Sequence, residues 1–236
     1  MIEVDLHSHS MFSGCGLHTI MELLEAARVL GLKGLAITDH GPALGGRISS
    51  VFFDRLQQPL QGIRLLKGME CNVLVEHGKI DCPIQFLKNM DIVLLGLHLG
   101  EHCNQPRNVC TDLLIRAIEA NPYVDIVSHP NSTMFPVDYE RLAIAAAKQG
   151  VVLELNNSKS DLRQVPDEET DQLIAACLKT GCRIALNSDA HTLTEIGMDS
   201  AVRPHLQRAK FPAALIVNAN AESAFAFIEE RRSTKR

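Results

Sequence analysis

The 236-residue chain contains no tryptophan and only two tyrosines, and aromatic residues make up 4% of it. It also lacks an excess of positive charge, because 28 aspartates and glutamates outnumber 23 lysines and arginines, giving a net charge of −5. Surfaces that bind long nucleic acids need basic stripes and aromatic stacking platforms. The composition therefore argues against binding to long nucleic acids.

Long apolar runs and a targeting segment are missing as well. No apolar run approaches the roughly 20 residues of a membrane-spanning helix, and the first residues show neither the basic stretch nor the apolar core of a signal peptide. The seven cysteines are an odd number without the paired spacing of a disulfide framework. We therefore expect a cytoplasmic protein with no membrane partner. Its length suits a single domain over residues 1–236.

What the chain does contain is a regular alternation of apolar runs and helical patterns. Five segments have helical periodicity: Ile20–Leu30, Val109–Ala120, Asp138–Gln149, Glu168–Thr180 and Asn220–Arg232. Seven apolar runs are predicted strands: Ile2–His9, Gly34–Asp39, Arg64–Val75, Ile92–His98, Val124–His129, Val151–Asn156 and Arg183–Asp189, with a short eighth run at Ala214–Val217. This alternation predicts an α/β fold with a parallel sheet. Seven units favour a closed or nearly closed barrel, with an open doubly wound sheet as the alternative.

Metal-ligating side chains recur where the predicted strands end. His7 and His9 are two residues apart on one strand, so both side chains point the same way. Comparable residues each follow an apolar stretch further along the chain: His40, Glu70, His98, His129, Asp189 and His191. Any one of them could be a hydrogen-bonded structural residue, but their recurrence favours a shared site. Three further histidines, His77, His102 and His205, fit no such pattern and are expected to be surface or loop residues.

Imidazoles and carboxylates in this number predict a multinuclear metal centre. One zinc ion takes three or four protein ligands, so eight candidates suit two or three ions. Zinc is the preferred ion, and manganese and iron also accept these ligands. Clustered ions lower the pKa of a shared water and stabilise a leaving oxygen, which is the chemistry of phosphate ester hydrolysis.

Four segments resemble the four motifs of the PHP (polymerase and histidinol phosphatase) superfamily, and the resemblance covers nearly the whole chain. The chain is most similar to the small stand-alone bacterial phosphatases, including the YcdX-like group, which Glu154–Ser158 also resembles. The four motifs and the two segments between them are Asp5–His9, Ala36–Pro42, Ile126–Pro130 and Asn187–Thr192, with Lys67–Asn72 and Gly96–His98.

The resemblance implies a distorted seven-stranded (β/α)7 TIM-like barrel with a trinuclear metal site at the C-terminal ends of its strands. The implied ligand sets are His7, His9, Glu70 and Asp189 for one ion, Glu70, His98 and His129 for the second, and His40 and His191 for the third. The family usually has a histidine where this chain has Cys15. Either Cys15, as a thiolate, or the nearby His18 would then complete the third set.

These residues predict a hydrolase that cleaves a small phosphate monoester with a hydroxide activated by two to three divalent ions. Glu70 and Asp189 would serve catalysis through the ions, and Asp39 would orient a ligand histidine or a water. Three cations in the loops at the barrel rim, Arg47, Arg107 and Lys159, are candidates for phosphate binding, although each is more readily explained as a solvated surface charge. Specificity is expected from the rim loops Pro42–Ser50 and Leu99–Asn108.

Three alternatives remain at this point. A phosphodiesterase acting on nucleotides would use the same centre. An amidohydrolase barrel also begins with His-x-His, but it needs a bridging lysine at a strand end, where this chain has Glu70. A non-catalytic PHP module would bind metal for stability alone, which needs fewer ligands than the chain offers. The sequence leaves the substrate, the metal and the oligomeric state open.

Overall fold

A computed structural model describes residues 1–47, 54–58, 60–75, 78–162 and 164–234. Seven parallel strands follow one another in chain order around a nearly closed barrel, which confirms the predicted fold class. The strands are β1 (Val4–Asp5), β2 (Gly34–Ile37), β3 (Arg64–Asn72), β4 (Ile92–Gly96), β5 (Ile126–Val127), β6 (Val152–Asn156) and β7 (Ile184–Asn187).

Side chains rather than a regular ladder join the first strand to the last. Between β1 and β7 the described residues contain a single bridge, from Ser8 to Ala190. Asn218 accepts a hydrogen bond from the Leu186 amide (2.9 Å) and donates one to the Val4 carbonyl (3.1 Å). This seam supplies partners for backbone groups that an unpaired strand edge would leave unsatisfied.

The described helices are α1 (Ile20–Val29), α2 (Ile84–Leu87), α3 (Arg107–Ala120), α4 (Tyr139–Lys148), α5 (Asn157–Asp161), α6 (Asp167–Thr180), α7 (Arg203–Ala209) and α8 (Ala221–Thr234). All five predicted helices are present. A capping box begins α1, because Thr19 Oγ1 accepts from the Glu22 amide while the Glu22 carboxylate accepts from the Thr19 amide. The other three helices have only four to seven residues, too few to show a period of 3.6.

The short eighth apolar run, Ala214–Val217, does not form a strand. Pro212 precedes a 3-10 helix over Ala213–Leu215, and Ile216 makes one isolated bridge to Ile184. A proline cannot donate to a sheet ladder, which disfavours a strand at this point.

Helix α8 closes the barrel at the N-terminal ends of the strands. Its Phe227 and Ile228 are buried against inward-facing strand residues such as Val4 and Leu66. A second apolar cluster lies between the outer faces of the strands and the surrounding helices. Because α8 occupies one end of the barrel, the opposite end is the one available for a functional site. None of the helices in the described part of the chain is both long and apolar enough to cross a membrane.

Candidate metal centre

The C-terminal ends of the strands bring together all eight side chains predicted there. Glu70 is at the middle of the cluster, and its carboxylate lies 2.9 to 3.5 Å from five imidazoles. Those imidazoles belong to His7, His9, His40, His98 and His129. Asp189 lies 3.1 Å from His9 and 3.7 Å from His191, which completes the cluster.

Two of these residues have backbone conformations that L-amino acids rarely adopt. His129 has a φ of +33° and Asp189 a φ of +55°. Each lies two residues beyond the end of its strand, β5 or β7. Uncommon backbone conformations of this kind concentrate at functional sites, where the surrounding structure enforces them.

Potential ligand atoms converge in three groups, in each of which they lie within 4.8 Å of one another. The groups are His7, His9 and Asp189; His40, Glu70 and His98; and His9, Cys15, His40 and His191. Ring nitrogens also meet one another directly, since Nε2 of His7 is 3.1 Å from Nε2 of His9 and the same distance separates Nε2 of His98 from that of His129. Opposed nitrogen lone pairs are satisfied by a shared cation, so the donor set fits divalent metal ions.

Charge in the cluster also suits cations. Burial alone would raise the pKa of Glu70 and Asp189, but the surrounding histidines hold the pKa of both carboxyls well below its usual range. Burial lowers the pKa of His9 to about 3, which leaves that ring neutral, whereas Glu154, Asp189 and Glu70 outweigh burial and raise the pKa of His7, so that metal ions would have to displace its proton. Ionised carboxylates and neutral imidazoles are the forms that bind metal.

Glu154 is a buried part of the site that sequence reasoning missed. Its Oε1 accepts from His7 Nδ1 (2.7 Å) and from the Asn187 amide group (2.8 Å). Its Oε2 accepts from the His129 backbone amide (2.8 Å) and from the Asn156 side chain (3.0 Å). The bond to Nδ1 directs Nε2 of His7 towards the cluster. The available signal was a glutamate between two leucines, Leu153 and Leu155, in strand β6.

Asp39 contacts a loop rather than a ligand ring. Its carboxylate accepts hydrogen bonds from the Ser10 amide (2.6 Å) and hydroxyl (2.7 Å), and burial raises its pKa. In the same loop the Ser13 hydroxyl lies 2.8 Å from His9 Nδ1 and accepts from the His40 amide (2.9 Å). Asp39 therefore reaches the ligands indirectly, and its catalytic role stays a prediction.

The structure separates the two candidates for completing the third set. Cys15 belongs to the group with His40 and His191, whereas His18 belongs to none of the groups among the described residues. Partial burial tends to raise the pKa of the Cys15 thiol, but hydrogen bonds with His191 and His40 outweigh it and lower that pKa to about 6. The geometry therefore favours Cys15 as the ligand.

One of the three rim cations adjoins the centre. Lys159 Nζ lies 3.5 Å from Asp189 Oδ2, whereas Arg47 and Arg107 are exposed.

One of the other histidines differs from expectation. His205 is buried within α7, so its predicted surface or loop position is wrong, whereas His102 lies in the loop after β4 and is buried there. His205 packs between α7 and α6, where Nδ1 lies 2.7 Å from Asp171. His102 is the last residue of a short 3-10 helix, and its backbone carbonyl lies 3.9 Å from the Cys110 sulfur of α3. His77 lies outside the described residues.

Comparisons with known proteins agree with this geometry. A model of the PHP domain matches residues 5–158. A probable phosphatase of Acetivibrio thermocellus is 33% identical over 234 residues, which cover 97% of this chain and 96% of that protein. A probable phosphatase of Caldanaerobacter subterraneus is 36% identical, over 97% of this chain and 92% of its own length. Among solved structures, the histidinol phosphate phosphatase of Lactococcus lactis, in complex with zinc, L-histidinol and phosphate, has the same fold. The TM-score is 0.65 at 15% identity, over 92% of this chain and 94% of that one.

Proposed function

We propose a substrate class and a metal count for this chain, which belongs to the PHP domain family and is a metal-dependent phosphatase. It hydrolyses a small-molecule phosphate monoester at a centre of three divalent ions. One observation carries the proposal: Glu70 lies within 3.5 Å of five imidazoles that come from four different strand ends. A single structural ion would need only three or four ligands. A carboxylate surrounded in this way is suited to bridge two ions.

The proposed ligand sets follow the motifs. The first ion would be held by His7, His9, Glu70 and Asp189, the second by Glu70, His98 and His129, and the third by His40, His191 and Cys15. The structure also places His40 beside Glu70 and His98, and His9 beside Cys15. The three sites would therefore share neighbours.

Zinc is the metal that these ligands suit best. Imidazole, carboxylate and thiolate are all zinc ligands, and a thiolate disfavours magnesium and calcium. The Lactococcus lactis protein of the same fold was crystallised with zinc. Bound ions would supply the Lewis acidity that phosphate ester hydrolysis requires.

The chain itself contributes orientation and charge. Glu154 would keep Nε2 of His7 directed into the centre through its bond to Nδ1. The ammonium of Lys159, with a pKa that Asp189 and Glu70 raise against the effect of burial, would bind a non-bridging phosphoryl oxygen and offset its negative charge. Asp39 would fix the loop that carries Ser13 and thereby the ring of His9.

The test combines metal content with phosphate release. Elemental analysis of the purified protein should give two to three equivalents of divalent metal per chain, and p-nitrophenyl phosphate should be hydrolysed. In Glu70→Ala the metal content should drop and turnover should be lost, while the exposed-residue control Glu25→Ala should match the unaltered protein. Absence of bound metal would overturn the proposal. Bound metal without release from any monoester would indicate a non-catalytic module, and faster cleavage of bis-p-nitrophenyl phosphate a phosphodiesterase.

A further inference from the structure

A cavity of about 520 Å³ opens beside the candidate metal centre. Its floor includes His98 and His129, two of the proposed ligands. Its walls are mostly apolar side chains: Leu44, Leu97, Met134, Phe135 and Val165. A group bonded to a phosphate at the centre would therefore extend into apolar surroundings. We call this space the rim cavity.

Apart from the proposed metal ligands, the rim cavity has only three polar side chains among its described lining residues, and one of them is a cation. Lys159 lies at the metal end, 3.5 Å from Asp189. Ser132 and Gln164 are the remaining polar lining residues that are not proposed ligands, and the described lining residues include no carboxylate. An ammonium group in the cavity would thus lack an anionic partner there. A sugar would find too few partners for its hydroxyls.

We propose that the rim cavity receives the alcohol part of the substrate and selects phosphate monoesters of uncharged, largely apolar alcohols. This inference rests on the proposed phosphatase function and adds its substrate class. Transfer of an apolar alcohol group from water to these apolar walls lowers the free energy of the complex and so strengthens binding. Esters of amino alcohols and sugars bind more weakly, because their charged or polar groups leave water without forming replacement hydrogen bonds.

Met134 provides a way to test the selection without disturbing the core. Its side chain is 55% exposed although it lines the cavity, so it lies at the open side. A carboxylate introduced by Met134→Glu would give an ammonium group the partner that the lining lacks. Met198 is also exposed, at 40%, and does not line the rim cavity, so Met198→Glu is a control with the same chemical change.

The experiment compares kcat/KM for benzyl phosphate, phosphoethanolamine, glycerol 3-phosphate and glucose 6-phosphate in the metal-loaded protein. We expect benzyl phosphate to exceed each of the others by about 10²-fold. Met134→Glu should lower the ratio of benzyl phosphate to phosphoethanolamine by about tenfold or more, while Met198→Glu should leave it unchanged. Equal or faster hydrolysis of the charged or polyhydroxylated esters would overturn the inference, as would an unchanged ratio in Met134→Glu.

Failure of the phosphatase function would look different, because no ester would then release phosphate. The rim cavity would still be testable with two non-hydrolysable probes, benzylphosphonate and 2-aminoethylphosphonate, in calorimetric titrations of the metal-loaded protein. Tighter binding of benzylphosphonate, weakened in Met134→Glu, would support the apolar cavity. Equal binding of the two probes would contradict it.

Discussion

Glu154 accepts four hydrogen bonds, from His7, Asn187, the His129 amide and Asn156. Each of its oxygens therefore lies between two donors. A glutamine would have to place its NH2 group against donors on one side and would leave them unpaired. The negative charge of this buried residue is thus needed for the orientation of two proposed ligands.

We expect Glu154→Gln to fold and to bind metal about 10- to 100-fold more weakly, as substitutions of groups that orient a ligand histidine commonly do. Metal affinity measured by competition with a chelator checks this, with circular dichroism as the folding control. Glu25→Gln changes an exposed glutamate in the same way and should bind metal normally. Unchanged affinity in Glu154→Gln would show that His7 is held by packing alone.

The third proposed site should show a thiolate ligand. In protein loaded with cobalt(II) in place of zinc, we expect a sulfur-to-cobalt charge-transfer band in the near ultraviolet. Cys15→Ser should remove the band and about one equivalent of bound metal, while His18→Ala should retain both because His18 is outside the ligand groups. A band that survives Cys15→Ser would exclude this assignment.

At the scale of single residues, the sequence predicted those site residues that a local spacing pattern identifies. His7 and His9 could be found because a strand repeats every two residues. Glu154 could not be found in this way, because its partner His7 is 147 positions away in the chain. Which of Cys15 and His18 joins the third group depends on how the loop after β1 turns, and spacing alone does not determine that.

Helix α8 is joined to the barrel by a buried ion pair. Arg231 donates to the Asp125 carboxylate (2.9 Å) and to the carbonyls of Val124 (2.8 Å) and Gln149 (3.0 Å). Arg231 is only 6% exposed and Asp125 is fully buried. Removal of the guanidinium would leave a buried carboxylate and two carbonyls without these donors.

We therefore expect Arg231→Met to lower the free energy of unfolding by about 3–5 kcal/mol, since removing one member of a buried ion pair is strongly destabilising. Denaturant unfolding measures the change. Arg28→Met breaks an exposed pair with Glu25 and should leave the free energy of unfolding almost unchanged, because water screens an exposed ion pair. Similar losses for the two variants would mean that the buried pair does not anchor α8.

At the scale of elements, order and type could be predicted, whereas strand lengths could not. β1 was predicted over Ile2–His9 but comprises two residues. Beyond Asp5 side-chain partners interrupt the ladder: the Leu6 amide donates to Asn187 (3.2 Å) and the Ser8 amide to Thr38 (3.1 Å), while the His9 amide still donates to the Ala190 carbonyl (2.8 Å). Apolar patterning cannot distinguish these partners from a sheet ladder.

For the molecule as a whole, bound metal should be a large part of its stability. The cluster places ionised carboxylates and converging imidazoles in one buried volume, which cations would stabilise. An ion present at a thousand times its Kd adds about 4 kcal/mol per site. A chain of this size gains about 2–4 °C in Tm for each kcal/mol.

Chelation should accordingly lower the Tm by about 8 °C or more, and added zinc should restore it. Differential scanning calorimetry with and without EDTA checks the shift. Glu70→Ala, which should already have lost metal, serves as the control and should respond little to EDTA. An equal EDTA response in Glu70→Ala would place the stabilising metal elsewhere.

The barrel itself could be predicted as a whole because ligands follow six of the seven predicted strands. An open sheet would concentrate them at one switch point. The source of substrate selectivity could be predicted only in part. Leu44 of the loop Pro42–Ser50 lines the rim cavity, although residues 48–50 lie outside the described residues. No described residue of Leu99–Asn108 lines it, and the loops after β5 and β6 supply Met134 and Val165 instead.

The proposed ligands extend along the chain from His7 to His191, and the seam beside them joins Asp5 to Ser188. During synthesis on a ribosome, the first two histidines would emerge long before Asp189, at rates of about 5–20 residues per second. The complete first ion site cannot exist until β7 has joined the barrel. Loading of the first proposed ion site would therefore follow the synthesis of β7, whereas Glu70, His98 and His129 of the second set all precede it in the chain.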